Sequence, residues 1–185
     1  MDCPTIDTER LVLRPIGPED RVAIFENYSD SDVSRWFFAQ PYTQIEQADR
    51  IIQQFMLRTA EGVGLAWAIV LKATGETIGT CSYEHIDQEL TGEIGFDLGK
   101  RHWGYGYMRE ALQAVTEYGF GRLGLAHITA DTYSDNLRAR RVLEQVGFSV
   151  DSVGEDSHCY SVSREAWMRK QRRGRAGVRP GRPEL

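Results

Sequence analysis

Three apolar-rich runs, LAWAIVLK from Leu65, TIGTCSYEHI from Thr77 and GEIGFDLG from Gly92, follow one another with only ATGE and DQELT between them. Connections that short cannot hold a crossover, so the three strands must be antiparallel neighbours. This meander constrains the fold more than any other feature, because the remaining elements have to be arranged around it. Upstream, ERLVLRP alternates charged and apolar residues before a proline, as a half-buried strand does. Two helical segments lie between that strand and the meander. The first runs from Pro18 to Tyr28 with Val22, Ala23, Ile24 and Phe25 as its apolar positions, and the second from Ile45 to Leu57 with Ile45, Ala48, Ile52, Phe55 and Met56 at helical spacing.

Downstream of RHWGYG, the residues Met108, Ala111, Leu112, Val115 and Tyr118 fall on one helical face, and the glycines from Gly121 to Gly124 close that helix. HITADTY then reads as a strand. SDNLRARRVLEQVGF reads as a helix with Ala139, Val142, Leu143 and Val146 inward, Asp135 or Asn136 as its cap and Gly147 at its end. FSVDSV and SHCYSVS form a closing hairpin before a short REAWMRK helix. The order predicts an α/β fold with a mixed, mostly antiparallel central sheet of six to seven strands flanked by helices. The 185 residues suit one domain, placed at 1–168, that buries roughly 70% of its extended surface. No internal repeat or second domain is visible.

Charge and composition narrow the function. Residues 169–185 carry seven basic residues and one acidic, which leaves 15 basic and 26 acidic on the remainder, a net charge of −11. A body of that sign favours cationic or amine-bearing partners over nucleic acid. The basic end could touch phosphate, but it has almost no apolar residues to pack and reads as a disordered, solubilising tail. No segment approaches the roughly 18 apolar residues of a membrane span, and the N-terminus lacks a secretory pattern, so a cytoplasmic protein without membrane contact is expected. Cys3, Cys81 and Cys159 are far apart and the four histidines lack ligand spacing, so neither a disulfide framework nor a metal site is implied.

The chemistry concentrates in RHWGYGYMREAL. A G-x-G alone is weak evidence, since glycines also close ordinary turns. Here a strand enters the loop and an amphipathic helix leaves it, so the loop amides become the free donors of a helix N-terminus, where a phosphate is favoured. Arg101 adds positive charge. The loop lacks the GxxxxGK[ST] spacing of nucleoside triphosphate sites, and with three other strands before it, it is not a Rossmann first turn.

Arg101, Gly104 and Gly106 in R-x-x-G-x-G, followed thirty residues later by NLRARRVLEQVGF, resemble the two signatures of the GNAT superfamily of N-acetyltransferases. TERLVLRPI, EIGFDLGKRHWGYGYMREAL and SREAW together resemble the branch that acetylates N-terminal amines of ribosomal proteins. The resemblance implies a GNAT fold with acetyl-CoA as co-substrate, held at a splay between the fourth and fifth strands. It further implies pantetheine bonded to the backbone of Asp97 and Leu98. The pyrophosphate would rest on amides of Trp103, Gly104, Tyr105, Gly106, Tyr107 and Met108, and Asn136 would contact the pantetheine; Asn136 reads equally well as a helix cap. Similar proteins are commonly homodimers.

Acetyl transfer to an amine needs a base for the amine proton, a polarised thioester and a proton for the departing thiolate. Glu93 is the leading candidate base, with Asp97, Glu84, His85 and Asp131 as alternatives. Ala139 and Leu143 stand where family members carry a serine or tyrosine acid, so Tyr160, Tyr133 or water has to supply that proton, or the thiolate leaves unassisted. Tyr160 reads also as a half-buried strand aromatic. Trp36, Glu84 and Asp131 are the candidate acceptor contacts, and Trp36, Phe37 and Phe38 read equally as helix-packing core. The acceptor is a protein N-terminus or a small cationic amine such as an aminoglycoside or polyamine. A non-catalytic acyl-CoA sensor and an RNA-binding module that uses the basic tail are the competing classes.

Overall fold

A computed structural model describes residues 2–37 and 40–176. In chain order the elements are β1 (Ile6–Asp7), β2 (Leu11–Pro15), α1 (Arg21–Ser29), α2 (Ser31–Ser34), α3 (Glu46–Glu61), β3 (Leu65–Leu71), β4 (Thr77–Ile86) and β5 (Thr91–Leu98). After them come α4 (Tyr107–Tyr118), β6 (His127–Tyr133), α5 (Leu137–Val146), β7 (Ser149–Val153), β8 (Ser157–Ser163) and α6 (Arg164–Ala176). The strands form one eight-stranded sheet in the order β1-β2-β3-β4-β5-β6-β8-β7. The meander is β3-β4-β5, antiparallel as its short turns require. The additional strand is β1, two residues that pair with β2 through Ile6 and Leu13.

Every adjacent pair is antiparallel except β5 and β6, which are parallel because α4 returns the chain across the sheet. The larger core gathers Leu11, Trp67, Tyr83 and Ile128 of the sheet with Leu112 and Val115 of α4, Leu143 of α5 and Trp167 of α6. Ile24, Tyr28, Ala48, Ile52 and Phe55 of α1 and α3 pack with Ala66 and Ala68 in a second cluster. Alternation along β3 explains the division, since successive side chains face opposite sides of a sheet.

Three local expectations change. Met56 is 45% exposed and Val22 56%, so α3 and α1 bury narrower stripes than their apolar residues suggested. Of the inward residues expected in α5, Leu143 and Val146 are buried while Ala139 and Val142 face a cavity. Finally, α6 continues to Ala176, so the first part of the basic segment is helical and not an extended tail. The remainder, 177–185, lies outside the described residues.

Candidate active site

The β5–β6 pairing has three rungs, Thr91 with His127, Gly92 with Ile128 and Glu93 with Thr129. Beyond them β5 stays with β4 as far as Leu98, and β6 stays with β8 as far as Tyr133. The facing edges therefore part, and among the described residues the backbone of β5 after Glu93 has no strand on that side. A cavity of roughly 400 Å³ opens there, bordered by Phe96, Asp97 and Leu98 of β5, the glycine loop, and Asn136, Ala139 and Val142 of α5.

The loop between β5 and α4 turns through two left-handed residues, Gly104 (φ 86°) and Gly106 (φ 80°). A Cβ at either position would be strained, so the sequence can make this turn only with glycine or a tolerated substitute such as Asn. Trp103 Nε1 donates to the Leu98 carbonyl at 2.7 Å and fastens the loop to the end of β5. Gly106 immediately precedes α4, whose first amides have no partner within the helix and carry the positive end of its dipole. Arg109 in the first turn of α4, and Arg138 and Arg141 one turn apart on α5, also border the cavity. The Arg138 guanidinium lies 4.6 Å from the centre of the Trp103 ring. Free amides, glycine turns, an unpaired strand edge and three arginines fit a ligand with an extended amide arm and several phosphates, which is the chemistry of coenzyme A.

Two residues expected at the phosphates stand elsewhere. The Arg101 guanidinium hydrogen-bonds Glu76, lies 3.9 Å from Glu26 and borders neither cavity. Two carboxylates on neighbouring elements have drawn it off the loop. Tyr105 is 63% exposed with its ring stacked on Tyr107 at 5.8 Å, so any contribution to the cavity comes from its backbone. Asn136 caps α5, its Oδ1 accepting from the Ala139 amide at 3.2 Å, and the residue also borders the cavity.

A second cavity of roughly 320 Å³ adjoins the first and shares Trp36, Phe37, Phe96 and Asp97 with it. Alternate residues of β4, Thr80, Ser82 and Glu84, form a polar row along it, while Tyr28 and Phe55 contribute aromatic surface. Glu84 can lie across β5 because Gly95 has no Cβ, whose place the carboxylate occupies. Burial pushes the Glu84 carboxyl above its ordinary range, opposed by Arg58 at 3.8 Å and reinforced by Glu93.

Asp97 sits where the cavities meet. It is 6% exposed, and burial raises its carboxyl to about 6 against the stabilising hydrogen bonds from Thr80 and Tyr28. Tyr28 donates to Oδ2 at 2.9 Å, and the Thr80 hydroxyl donates to the same oxygen. Its position next to the end of β5 is what sequence alternation conceals: Glu93, Gly95 and Asp97 share one face of β5, yet only the last reaches the junction.

The other expected catalytic groups are not brought there. Glu93 is exposed beside His85 and Thr129 in the sheet and borders neither cavity. Tyr160 is fully buried, accepting from Arg140 Nε and donating to Glu144 Oε1, each at 3.1 Å, so its hydroxyl belongs to a structural bridge. Asp131 is exposed on β6, opposite Cys159 of β8, and also borders neither cavity. Trp36 and Glu84 do line the second cavity. Arg35 lies over the Trp36 ring at 4.2 Å, and the Tyr133 ring is 6.2 Å from it. Phe38 lies outside the described residues. Arg109, Arg138, Arg141 and Tyr28 were missed; the spacing of Arg138 and Arg141, three residues apart beside Ala139 and Val142 on α5, was the available signal for two of them.

Residues 10–149 match the acetyltransferase (GNAT) domain family, and the chain belongs to it. The N-acetyltransferase p20 of Bacillus licheniformis is 37% identical over 153 residues, which cover 82% of this chain and 86% of that protein. A GNAT-family acetyltransferase structure from Bacillus anthracis superposes with a TM-score of 0.79 at 25% identity, covering 88% of this chain and 99% of that one. RimL, a ribosomal L7/L12 α-N-protein acetyltransferase in complex with coenzyme A, superposes with a TM-score of 0.79 at 19% identity over 88% and 99% of the two chains. The protein is therefore an acetyltransferase, and acetyl-CoA is its co-substrate.

Proposed function

We propose that the acceptor is a primary amine, the α-amine of a protein N-terminus, received in the second cavity and acetylated directly with Asp97 as the proton acceptor. The observation that carries this reading is the place of Asp97: it is a carboxylate raised to about 6 at the junction of the two cavities. A base of that strength is ionised at neutral pH and still basic enough to accept a proton as the amine becomes bonded to carbon. Bound acetyl-CoA supplies the thioester carbon that the amine attacks. Asp97 takes the amine proton as the C–N bond forms, Tyr28 and Thr80 hold its carboxylate in place, and the aromatic walls exclude water. With Ala139 and Leu143 unable to donate and Tyr160 buried in its bridge, the thiolate leaves unassisted or is protonated by water, in keeping with the modest basicity of a thiol.

A small cationic amine is the second reading, favoured by the Glu84 carboxylate and the acidic body of the domain. Thiol release from acetyl-CoA, measured with N-terminal peptides alongside aminoglycosides and polyamines, decides between the two. Turnover with peptides supports the first, and turnover confined to the small amines replaces it with the second. Tight coenzyme A binding without turnover on any acceptor overturns both in favour of a sensor.

A further inference from the structure

Behind the glycine loop, on the side away from the cavity, a cluster of charged groups ties α4 to the turn between β1 and β2. Glu110 of α4 accepts from the Thr8 hydroxyl at 2.6 Å, from the Arg10 amide at 2.7 Å and from Arg10 Nε at 2.7 Å. The same Arg10 side chain donates through Nη1 to the Tyr105 carbonyl at 2.8 Å and lies 4.6 Å from the centre of the Tyr107 ring. Its Nη2 is 3.6 Å from the place a Cβ on Gly106 would occupy. Arg10 thus holds Tyr105 and Tyr107, on either side of Gly106, while bordering neither cavity.

The geometry points to Arg10 as a positioning residue for the donor diphosphate, acting through the Tyr105–Gly106 peptide. In a planar trans peptide the carbonyl and the following N–H point in opposite directions. Turning the Tyr105 carbonyl onto Arg10 therefore turns the Gly106 N–H away from Arg10, and Gly106, unlike Tyr105 and Arg10, borders the cavity. Between two left-handed glycines a peptide plane has little to hold it, so without this bond it can rotate and present its carbonyl to the phosphates. Glu110 keeps the guanidinium aimed, because Nε is committed to its Oε2 while Nη1 reaches the carbonyl.

The test is calorimetric titration of the full chain with coenzyme A and with pantetheine, which lacks the diphosphate, in Arg10→Gln and Thr8→Val. Thr8→Val loosens the same Glu110 cluster without touching the Tyr105 carbonyl, so it reports what mere structural weakening does. The expected result is that Arg10→Gln weakens coenzyme A binding about tenfold and leaves pantetheine unchanged, while Thr8→Val binds coenzyme A as the parent does. Arg10→Lys, which keeps the charge but cannot span Glu110 and Tyr105 together, gives the same pattern if the Gln variant fails to fold. Equal loss for both ligands, or a loss that follows the melting temperature across the variants, overturns the assignment. The inference rests on acetyl-CoA as donor, and a parent protein that binds no coenzyme A would remove that premise separately.

Discussion

Replacing Asp97 with Asn keeps an oxygen for Tyr28 and Thr80 and removes the charge, so it separates the chemistry of the carboxylate from its packing. The folded protein holds this group at about 6 where its ordinary value is 3.8. A raised value means that folding favours the protonated form. The associated stability is complete below pH 3.8 and is lost as pH rises through about 6. Two units of displacement correspond to about 3 kcal/mol, an upper bound because a neutral amide accepts the two hydroxyl bonds more weakly than a carboxylate. At pH 7.5 the variant should therefore melt a few degrees higher than the parent, and its stability should vary less between pH 4 and 6. Turnover should move the other way, with kcat falling by about 10² to 10⁴ and the acidic limb near pH 6 disappearing. The assay is thiol release across pH 5 to 9 at saturating acetyl-CoA, with thermal melts at each pH and Glu93→Gln as comparator. Glu93→Gln should stay within about twofold of the parent, since an exposed carboxylate outside both cavities contributes no base. An Asp97→Asn enzyme with near-parental kcat and an intact acidic limb would refute the reasoning, and collapse of Glu93→Gln would return the role to that residue.

Three further outcomes follow from the same geometry. Gly106→Asp places a negative side chain at a left-handed position beside the helix N-terminus, and coenzyme A affinity measured by calorimetry should fall about a hundredfold. Glu84→Gln should raise the acceptor KM about tenfold with kcat little changed, in initial-rate kinetics with the acceptor found by screening. Tyr160→Phe removes its bonds to Arg140 and Glu144, which keep water or the Ser134 carbonyl as partners, and should cost about 0.5–1.5 kcal/mol of stability in denaturant unfolding, while kcat holds; lost turnover at unchanged stability would make Tyr160 the missing acid.

Elements were legible in the sequence where local rules are strong. Apolar runs and short turns define β3-β4-β5, and Asn136 and Gly147 delimit α5 because cap chemistry is local. The glycine loop was legible for the same reason, since its turn depends on the left-handed backbone of Gly104 and Gly106. Side-chain destinations were not, because they depend on residues distant in the chain. Arg101 looks like a phosphate ligand until Glu76 and Glu26, on other elements, take it. Tyr160 looks like an acid until Arg140 and Glu144 on α5 close over it. Asp97 was read chiefly as a backbone partner, since nothing in EIGFDLG reveals that Tyr28 and Thr80 will meet its carboxylate.

The three-rung parallel seam has a consequence for cohesion as well as for binding. It divides the sheet into a five-strand block, β1 to β5, and a three-strand block, β6 to β8, joined in the sheet by fewer backbone rungs than any other neighbouring pair except β1 and β2. Local opening concentrates where such bonds are few and solvent reaches them. Acetyl-CoA bound across that gap would touch both blocks at once and so fasten the join. Free co-substrate at a hundred times its dissociation constant would add about 2.7 kcal/mol to the folded state, so the two blocks should part least readily when acetyl-CoA is plentiful.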